Sequence, residues 1–230
     1  MSKRNKQNGK ENESTTNGTS EIKTKQRCIG QSSGNNILEG LLQWDEEYTS
    51  KCAVFADKNS TFRPVMKLLE ISCHGIPWLL ATIVLILSVH QAHHIELLVN
   101  LFYGLIIDLI AISISKMAFK RSRPVHNEMD MFVTVSIDNY SFPSGHASRA
   151  GMLACFFALR ALDSPTWIVF TLLWSFIVTF SRVMLGRHHL VDVICGYLLG
   201  IGEYLVLSYL WISRETSLSW LELYFSHFHL

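Results

Sequence analysis

The sequence predicts an all-α integral membrane protein: a bundle of about five transmembrane helices, preceded by an N-terminal helix at the membrane interface. Two observations predict this fold class. The mean hydropathy is +0.22, although the first 35 of the 230 residues are strongly polar. The remainder contains five apolar stretches that approach or reach the roughly 20 residues needed to cross the hydrocarbon layer of a bilayer.

The polar beginning of the chain, residues 1–35, is expected to be a disordered tail. Its seven basic and three acidic residues give a charge of +4, and it has few apolar side chains to offset the entropy of ordering. It lacks the apolar core of a signal peptide. A solvated tail is the first interpretation, and weak attraction to anionic lipid is the alternative. Residues 36–215 are predicted to form the membrane-embedded domain and 216–230 a C-terminal tail.

The segment 37–56 carries apolar residues at helical spacing, with acidic residues on the opposite face. The apolar run is too interrupted to span a bilayer. It therefore predicts an interfacial helix that lies against the membrane, and packing on a soluble partner is the alternative.

Five membrane spans are predicted beyond this helix. The first is expected to be kinked at Gly75 and Pro77. The third is short and flanked by Arg149 and Arg160, and it is included because the arrangement of the polar clusters described below needs it to cross. The predicted spans are about 69–90, 96–117, 146–162, 165–183 and 190–212.

Small and ionisable residues within these spans predict contacts between helices. Gly196 and Gly200 have the small-xxx-small spacing that allows two helices to approach closely. Ionisable groups at membrane depth normally face the bundle interior, so interhelical hydrogen bonds are a better interpretation than catalysis for Glu70, Asp108 and Glu203.

Three polar clusters lie at the predicted helix ends. With five crossings, all of these ends fall on one face of the membrane. The clusters supply three cations, two histidines and one carboxylate, a set suited to phosphoryl transfer at a membrane surface without a metal ion. They are Lys116 with Arg123-Pro124, then Pro143-Ser144-Gly145-His146, then Ser181-Arg182 with His188 and Asp192.

The third cluster suggests an orientation for a nucleophile. His188 and Asp192 are four residues apart, so the carboxylate can accept a hydrogen bond from one ring nitrogen and leave the other free. His189 could also reach Asp192. For the neighbouring cations Lys120, Arg121 and Arg187, anchoring at the membrane surface is the preferred interpretation.

The three clusters resemble the signature of the type 2 phosphatidic acid phosphatase superfamily, with every signature position filled. The flanking segments Met66–Ser72 and Phe142–Ala147 look most like the presqualene and polyisoprenoid diphosphate phosphatase branch. The resemblance covers roughly residues 36–215.

The resemblance implies a role for each site residue. His188 is the implied nucleophile, forming a phosphohistidine, while His146 is the general acid and Asp192 completes the catalytic set. No cofactor and no metal ion are expected, and the five scattered cysteines suggest neither a disulfide nor a zinc site. The implied phosphate-binding residues are Lys116, Arg123, Ser144, Gly145 and Arg182.

The expected function is that of a membrane lipid phosphatase acting on presqualene, farnesyl or geranylgeranyl diphosphate. A phosphatidate or lysophosphatidate phosphatase is the close alternative, and a catalytically silent membrane scaffold is the alternative from another class. The expected partners are the bilayer and a lipid with a phosphate or diphosphate head group, and no nucleic acid is expected. By resemblance, the location is the endoplasmic reticulum and nuclear envelope.

The side of the membrane that the site faces is left open by the sequence. The distribution of arginine and lysine favours a cytosolic site. Against this, four glycosylation sequons lie on the active side, at Asn12, Asn17, Asn59 and Asn139.

Overall fold

The computed structural model describes residues 36–89, 91–128 and 139–228. Every regular secondary-structure element within these ranges is a helix, and no β-strand occurs there. The predicted disordered tail, residues 1–35, lies outside the described residues. The chain divides into two units, residues 1–40 and residues 41–230. Of the first unit the structure describes only residues 36–40, which are helical.

The helices of the described residues follow one another in the order α1 to α8. They are α1 Asn36–Cys52, α2 Arg63–Ser72, α3 Gly75–Ser88, α4 Ala92–Phe119, α5 Gly145–Phe156, α6 Pro165–Met184, α7 Leu190–Tyr209 and α8 Arg214–Phe228; a π-helical turn, Phe157–Ala161, follows α5.

Helix α1 corresponds to the predicted interfacial helix. Leu41, Trp44 and Tyr48 are exposed on it, whereas the polar residues Asp45 and Thr49 are buried. An apolar stripe that remains exposed while polar side chains are covered is the reverse of the usual pattern for a surface helix in water. The location of α1 at a membrane interface stays a prediction.

Three helices among the described residues, α4, α6 and α7, are long and apolar enough to cross a membrane. Helices α2 and α3 meet the same criteria only as a pair, bent by 41° at the break before Gly75, close to the predicted kink. The prediction of an all-α membrane protein is therefore confirmed. The count of five spans is not, because α5 has only 12 residues before the π-helical turn.

Helix α5 lies at the centre of the unit and packs against α4, α6 and α7. A Cβ atom on Gly196 of α7 would lie 2.6 Å from the carbonyl oxygen of Ser144, and one on Gly200 would collide with the carbonyl oxygen of Ser148. Only glycine permits this approach, so the predicted close contact at these two positions is confirmed.

Buried polar pairs also join these helices. Asp108 of α4 accepts a hydrogen bond from Arg149 of α5 over 2.6 Å, and Glu203 of α7 accepts from the hydroxyl of Ser148 over 3.0 Å. The predicted interhelical role of both carboxylates is confirmed. Arg149, predicted only to flank a span, instead lies buried inside the helix bundle.

The residues predicted as a C-terminal tail instead form most of α8, which packs against α4. The Ser213 hydroxyl accepts a hydrogen bond from the Thr216 backbone N–H over 3.3 Å, so the helix has a capping residue at its start. Arg214 then lies 3.5 Å from Glu96 of α4. The Ser213 cap and the apolar residues that follow it are the sequence signals for a helix that the prediction of a tail left out.

Candidate active site

A cavity of about 250 Å³ lies where several helix ends meet, and six of the eight predicted site residues line it. They come from five places at helix ends or in the loops beside them: the last turn of α4, the segment after it, the start of α5, the last turn of α6 and the loop before α7. The six are Lys116, Arg123, Gly145, His146, Arg182 and His188.

His188 is held by a backbone carbonyl. Its Nδ1 atom lies 2.7 Å from the carbonyl oxygen of Ser141 and 3.9 Å from the nearer carboxylate oxygen of Asp192. A carbonyl oxygen can only accept, so Nδ1 carries the proton and Nε2 keeps a lone pair. The prediction that Asp192 fixes the tautomer of His188 is wrong, because the carbonyl oxygen of Ser141 accepts the hydrogen bond from Nδ1 instead.

The electrostatic surroundings of His188 favour the neutral ring. Burial lowers the pKa of His188 well below its ordinary value, and the positive charges of Arg123 and Lys116 lower that pKa further. The hydrogen bond to Ser141 acts in the opposite direction but is outweighed. At neutral pH the imidazole therefore has the lone pair that a nucleophile needs.

Asp192 acts at the start of α7 and does not line the cavity. Its Oδ2 atom accepts a hydrogen bond from the backbone N–H of His189 over 2.8 Å. The same oxygen lies 3.0 Å from Nδ1 of the His189 ring. Its Oδ1 atom accepts from Arg121 over 2.6 Å. Because the carboxylate turns back to cap its own helix, His189 is the histidine that pairs with Asp192, and His188 is the one that lines the cavity.

Ser144 joins two helix starts. Its backbone N–H donates to the carbonyl oxygen of Asp192 over 3.0 Å, and its hydroxyl accepts from the Ala147 N–H over 3.4 Å as the N-cap of α5. Ser144 was predicted to bind phosphate directly, but it does not line the cavity. The next residue, Gly145, does.

His146 lines the cavity from the first turn of α5. Its Nε2 atom is buried and has no hydrogen-bond partner among the described residues. A buried polar atom without a partner is costly, so the position is suited to a group that contacts a ligand atom.

A buried charge cluster beside Arg182 was not predicted from the sequence. A single carboxylate oxygen of Glu70 lies 3.0 Å from a guanidinium nitrogen of Arg187 and 3.3 Å from one of Arg182. All three side chains are buried and line the cavity. Glu70, predicted to make an interhelical hydrogen bond, joins α2 to α6 through an ion pair with Arg182 instead.

The anchoring role predicted for Arg121 and Arg187 is wrong. Arg187 has a side chain only 1% exposed, and it lines the cavity. Arg121 forms ion pairs with Asp192 and Asp45. Lys120 is exposed at the end of α4, so anchoring stays a prediction for that residue.

The opposite wall of the cavity is apolar. It is formed by side chains of α3 and α4, namely Ile76, Leu79, Leu105, Leu109 and Ile112. The cavity therefore combines a cationic end with an apolar wall, as an amphiphilic ligand requires.

Metal ligands do not cluster in the part of the chain that the structure describes. No group of three or more histidine, cysteine, aspartate or glutamate side chains occurs there at a spacing that could hold a metal ion. The cysteines in these ranges, Cys52, Cys73, Cys155 and Cys195, are unpaired thiols.

Comparison with known proteins finds several similar phosphatases and a diphosphatase. The chain is 39% identical over 131 residues to a probable lipid phosphate phosphatase beta of Arabidopsis thaliana. It is 32% identical over 105 residues to a lipid A 1-phosphatase of Rhizobium johnstonii and 31% identical over 105 residues to an undecaprenyl-diphosphatase of Sulfolobus acidocaldarius. No solved structure matches the chain.

The matches cover 46%, 44% and 44% of this chain and 62%, 42% and 49% of the three relatives, respectively, so the chain spans less than two thirds of the length of each relative. The sequence model of the PAP2 superfamily matches residues 97–216, a stretch that contains all eight predicted site residues. The chain belongs to the PAP2 superfamily.

Proposed function

We propose that this protein is a membrane lipid phosphatase that hydrolyses isoprenoid diphosphates, such as presqualene, farnesyl or geranylgeranyl diphosphate. The observation that carries the proposal is that one cavity is lined both by a cluster of buried cations and by an apolar wall. The name of the Sulfolobus relative supports a polyisoprenoid diphosphate, whereas the name of the Arabidopsis relative fits a phosphatidate or lysophosphatidate phosphatase equally well.

In the proposed reaction, the terminal phosphate is held by Lys116, Arg123 and Arg182. The transition state of phosphoryl transfer spreads negative charge over the equatorial oxygens, so fixed positive charge and positioning supply most of the stabilisation. Arginine offers a planar fork that can bind two oxygens, and lysine acts as a point charge.

The bond changes involve the two cavity histidines. The Nε2 lone pair of His188 attacks the terminal phosphorus while the bond to the bridging oxygen breaks. His146, which takes up a proton once the negatively charged head group is bound, gives this proton to the departing group, which leaves as the isoprenyl monophosphate. Neutral His146 then accepts a proton from the water that attacks the phosphohistidine, which releases inorganic phosphate and restores both rings.

The additional cation Arg187 supports the preference for a diphosphate. Arg187 lines the cavity beside Arg182, and one carboxylate oxygen of Glu70 lies 3.0 Å from Arg187 and 3.3 Å from Arg182. Arginine in the lining of a cavity can bind phosphate oxygens through charge-assisted hydrogen bonds. A diphosphate head group brings more negative charge to the cavity than a monoester does, and Arg187 is placed to meet its inner phosphate.

The test is a turnover screen on the purified protein in mixed micelles with excess chelator. Farnesyl diphosphate is compared with farnesyl monophosphate, which changes only the head group, and with phosphatidate, which changes the chain as well. We expect the highest kcat/KM for farnesyl diphosphate, unchanged by chelator and abolished in His188→Asn. A preference for phosphatidate would establish the alternative function, and phosphate release from none of the lipids would indicate a silent scaffold.

We also propose that the protein resides in the endoplasmic reticulum and nuclear envelope, with the site facing the cytosol. Asn139 is exposed and lies two residues before Ser141, the partner of His188, so a sugar at this sequon reports the side of the site. We expect no endoglycosidase-sensitive mass shift in cells. A shift that Asn139→Gln removes would place the site in the lumen.

A further inference from the structure

We infer that Asp45 of α1 is a positioning residue for the reaction: it fixes Arg121, and Arg121 holds both of the segments that position His188. The inference rests on the proposed phosphatase function. It concerns a helix outside residues 97–216, the stretch that the superfamily model matches.

Asp45 is one of the most completely buried carboxylates of the described residues, with a side chain 1% exposed. Its two oxygens have different partners. Oδ2 accepts a hydrogen bond from Arg121 over 2.7 Å, and Oδ1 accepts one from the backbone N–H of Val191 over 3.0 Å. One carboxylate therefore ties α1 both to the segment after α4 and to the first turn of α7.

A second polar residue of α1 makes the same connection. The hydroxyl of Thr49, one helical turn after Asp45, accepts a hydrogen bond from the backbone N–H of Leu190 over 3.0 Å. Free N–H groups at a helix start need acceptors, and here a neighbouring helix supplies them for two consecutive residues. The start of α7, immediately after His188 and His189, is thus capped by α1.

The side chain of Arg121 carries the effect of Asp45 toward Asp192. Its two guanidinium nitrogens each have a carboxylate partner, Nη2 with Asp45 and Nη1 with Asp192 over 2.6 Å. Charge-assisted pairs of this length at a half-buried site hold both partners in one geometry. Asp192 in turn holds the backbone of His189 and, through its carbonyl oxygen, the N–H of Ser144.

The backbone of Arg121 carries the effect toward His188. The Arg121 carbonyl oxygen accepts a hydrogen bond from the Ser141 N–H over 2.9 Å, and the Ser141 carbonyl oxygen lies 2.7 Å from Nδ1 of His188. Arg121 therefore also positions Ser141, whose carbonyl oxygen fixes the tautomer of His188. Without Asp45, Arg121 loses the partner of one guanidinium nitrogen, and both of these connections loosen.

The variant Asp45→Asn tests the inference because it keeps the size of the side chain and removes its charge. Asp45 does not line the cavity, so substrate binding should change little. On the lipid phosphate that the wild type cleaves best, we expect kcat to fall about tenfold with KM within about twofold of wild type. The matched control is Glu46→Gln, the same charge change at an exposed position of α1, which should retain wild-type kcat.

Two further variants separate positioning from a loss of fold. In the background Arg121→Gln, which itself lowers kcat, Asp45→Asn should add no further loss because its effect passes through Arg121. If Asp45→Asn does not fold, Asp45→Ser is measured instead; it removes the carboxylate that Arg121 needs and should lower kcat with KM unchanged.

The outcomes distinguish this inference from the proposed function. An inactive wild type would overturn the proposed function. An active wild type together with full kcat in Asp45→Asn, or in Asp45→Ser where that variant is used, would overturn only the positioning role. A loss that adds fully to that of Arg121→Gln would overturn it as well, since Asp45 would then act by another route.

Discussion

Two regions of the molecule meet at the cavity, and they supply different kinds of residues. The region matched by the superfamily, residues 97–216, contains every predicted site residue. The preceding helices α1 to α3 contain none of them. They supply instead two buried carboxylates, Asp45 and Glu70, and part of the apolar wall, Ile76 and Leu79.

This difference separates the groups that we propose to contact phosphate from the groups that hold them in position. Glu70 lies against the arginines of the cavity, and Asp45 lies against Arg121. Phosphoryl transfer needs the same few cations and histidines whatever the lipid, whereas the holding groups and the wall can differ between substrates. We therefore expect substitutions in the two regions to have distinguishable effects.

The largest effect should come from the matched region, in His188→Asn. This change removes the attacking nitrogen, so we expect turnover to fall by at least about a thousandfold and the phosphoenzyme to disappear. The matched control is His189→Asn, which alters a residue that contacts Asp192 and does not line the cavity. Rates and acid-labile phosphoenzyme are measured on both variants. An inactive His189→Asn beside an active His188→Asn would reverse the assignment of the nucleophile.

The next effect, on stability, should come from the preceding region, in Glu70→Gln. The change removes the carboxylate that lies against two buried guanidinium groups, and breaking a buried ion pair in this way destabilises a protein by about 3–5 kcal/mol. The midpoint of thermal unfolding in detergent should therefore fall. Vanadate, which resembles the transferring phosphoryl group, should raise that midpoint more in Glu70→Gln than in wild type, because it returns negative charge to the cluster.

The control for Glu70→Gln is Glu47→Gln, which breaks an exposed pair with Lys51 on α1. Exposed ion pairs contribute little, so its unfolding midpoint should equal that of wild type. Equal midpoints for all three proteins would show that Glu70 does not stabilise the arginines.

A smaller and substrate-dependent effect is expected for His146→Ala. An alkoxide needs a proton to depart more than a phosphate does, so loss of the general acid should lower kcat about a hundredfold for farnesyl monophosphate and about tenfold for farnesyl diphosphate. The measurement is kcat for both lipids on wild type and variant. The same loss on both substrates would argue against His146 as the proton donor.

The positions of six site residues were predictable because they depend on helix ends. Apolar stretches locate the ends of α4, α6 and α7, and the predicted alternating crossings place those ends on one face of the membrane. Gly196 and Gly200 were predictable for a similar reason, since their spacing alone indicates a close helix contact.

The partners within the site could not be predicted from spacing. Asp192 is at the right distance along the chain to reach His188, but its carboxylate turns to cap α7, and Ser141 from a separate loop takes its place. Arg121 and Arg187 were predicted to be surface charges because nothing in their local sequence shows that carboxylates of α1 and α2 pack against them. Such contacts between distant segments are determined by tertiary packing.

The smallest expected effect concerns the apolar wall, in Leu79→Trp. Leu79 lines the cavity from α3, so a larger side chain there takes space from the lipid chain and leaves the cations untouched. Differences in fit of this kind change specificity by about 1–2 kcal/mol. We therefore expect kcat/KM to fall about tenfold for geranylgeranyl diphosphate and to change little for dimethylallyl diphosphate, whose chain is much shorter. The control is Leu80→Trp, the next position on α3, which is 58% exposed and outside the cavity. A uniform loss on both diphosphates would mean that α3 affects the reaction centre itself, and the separation of the two regions would then fail.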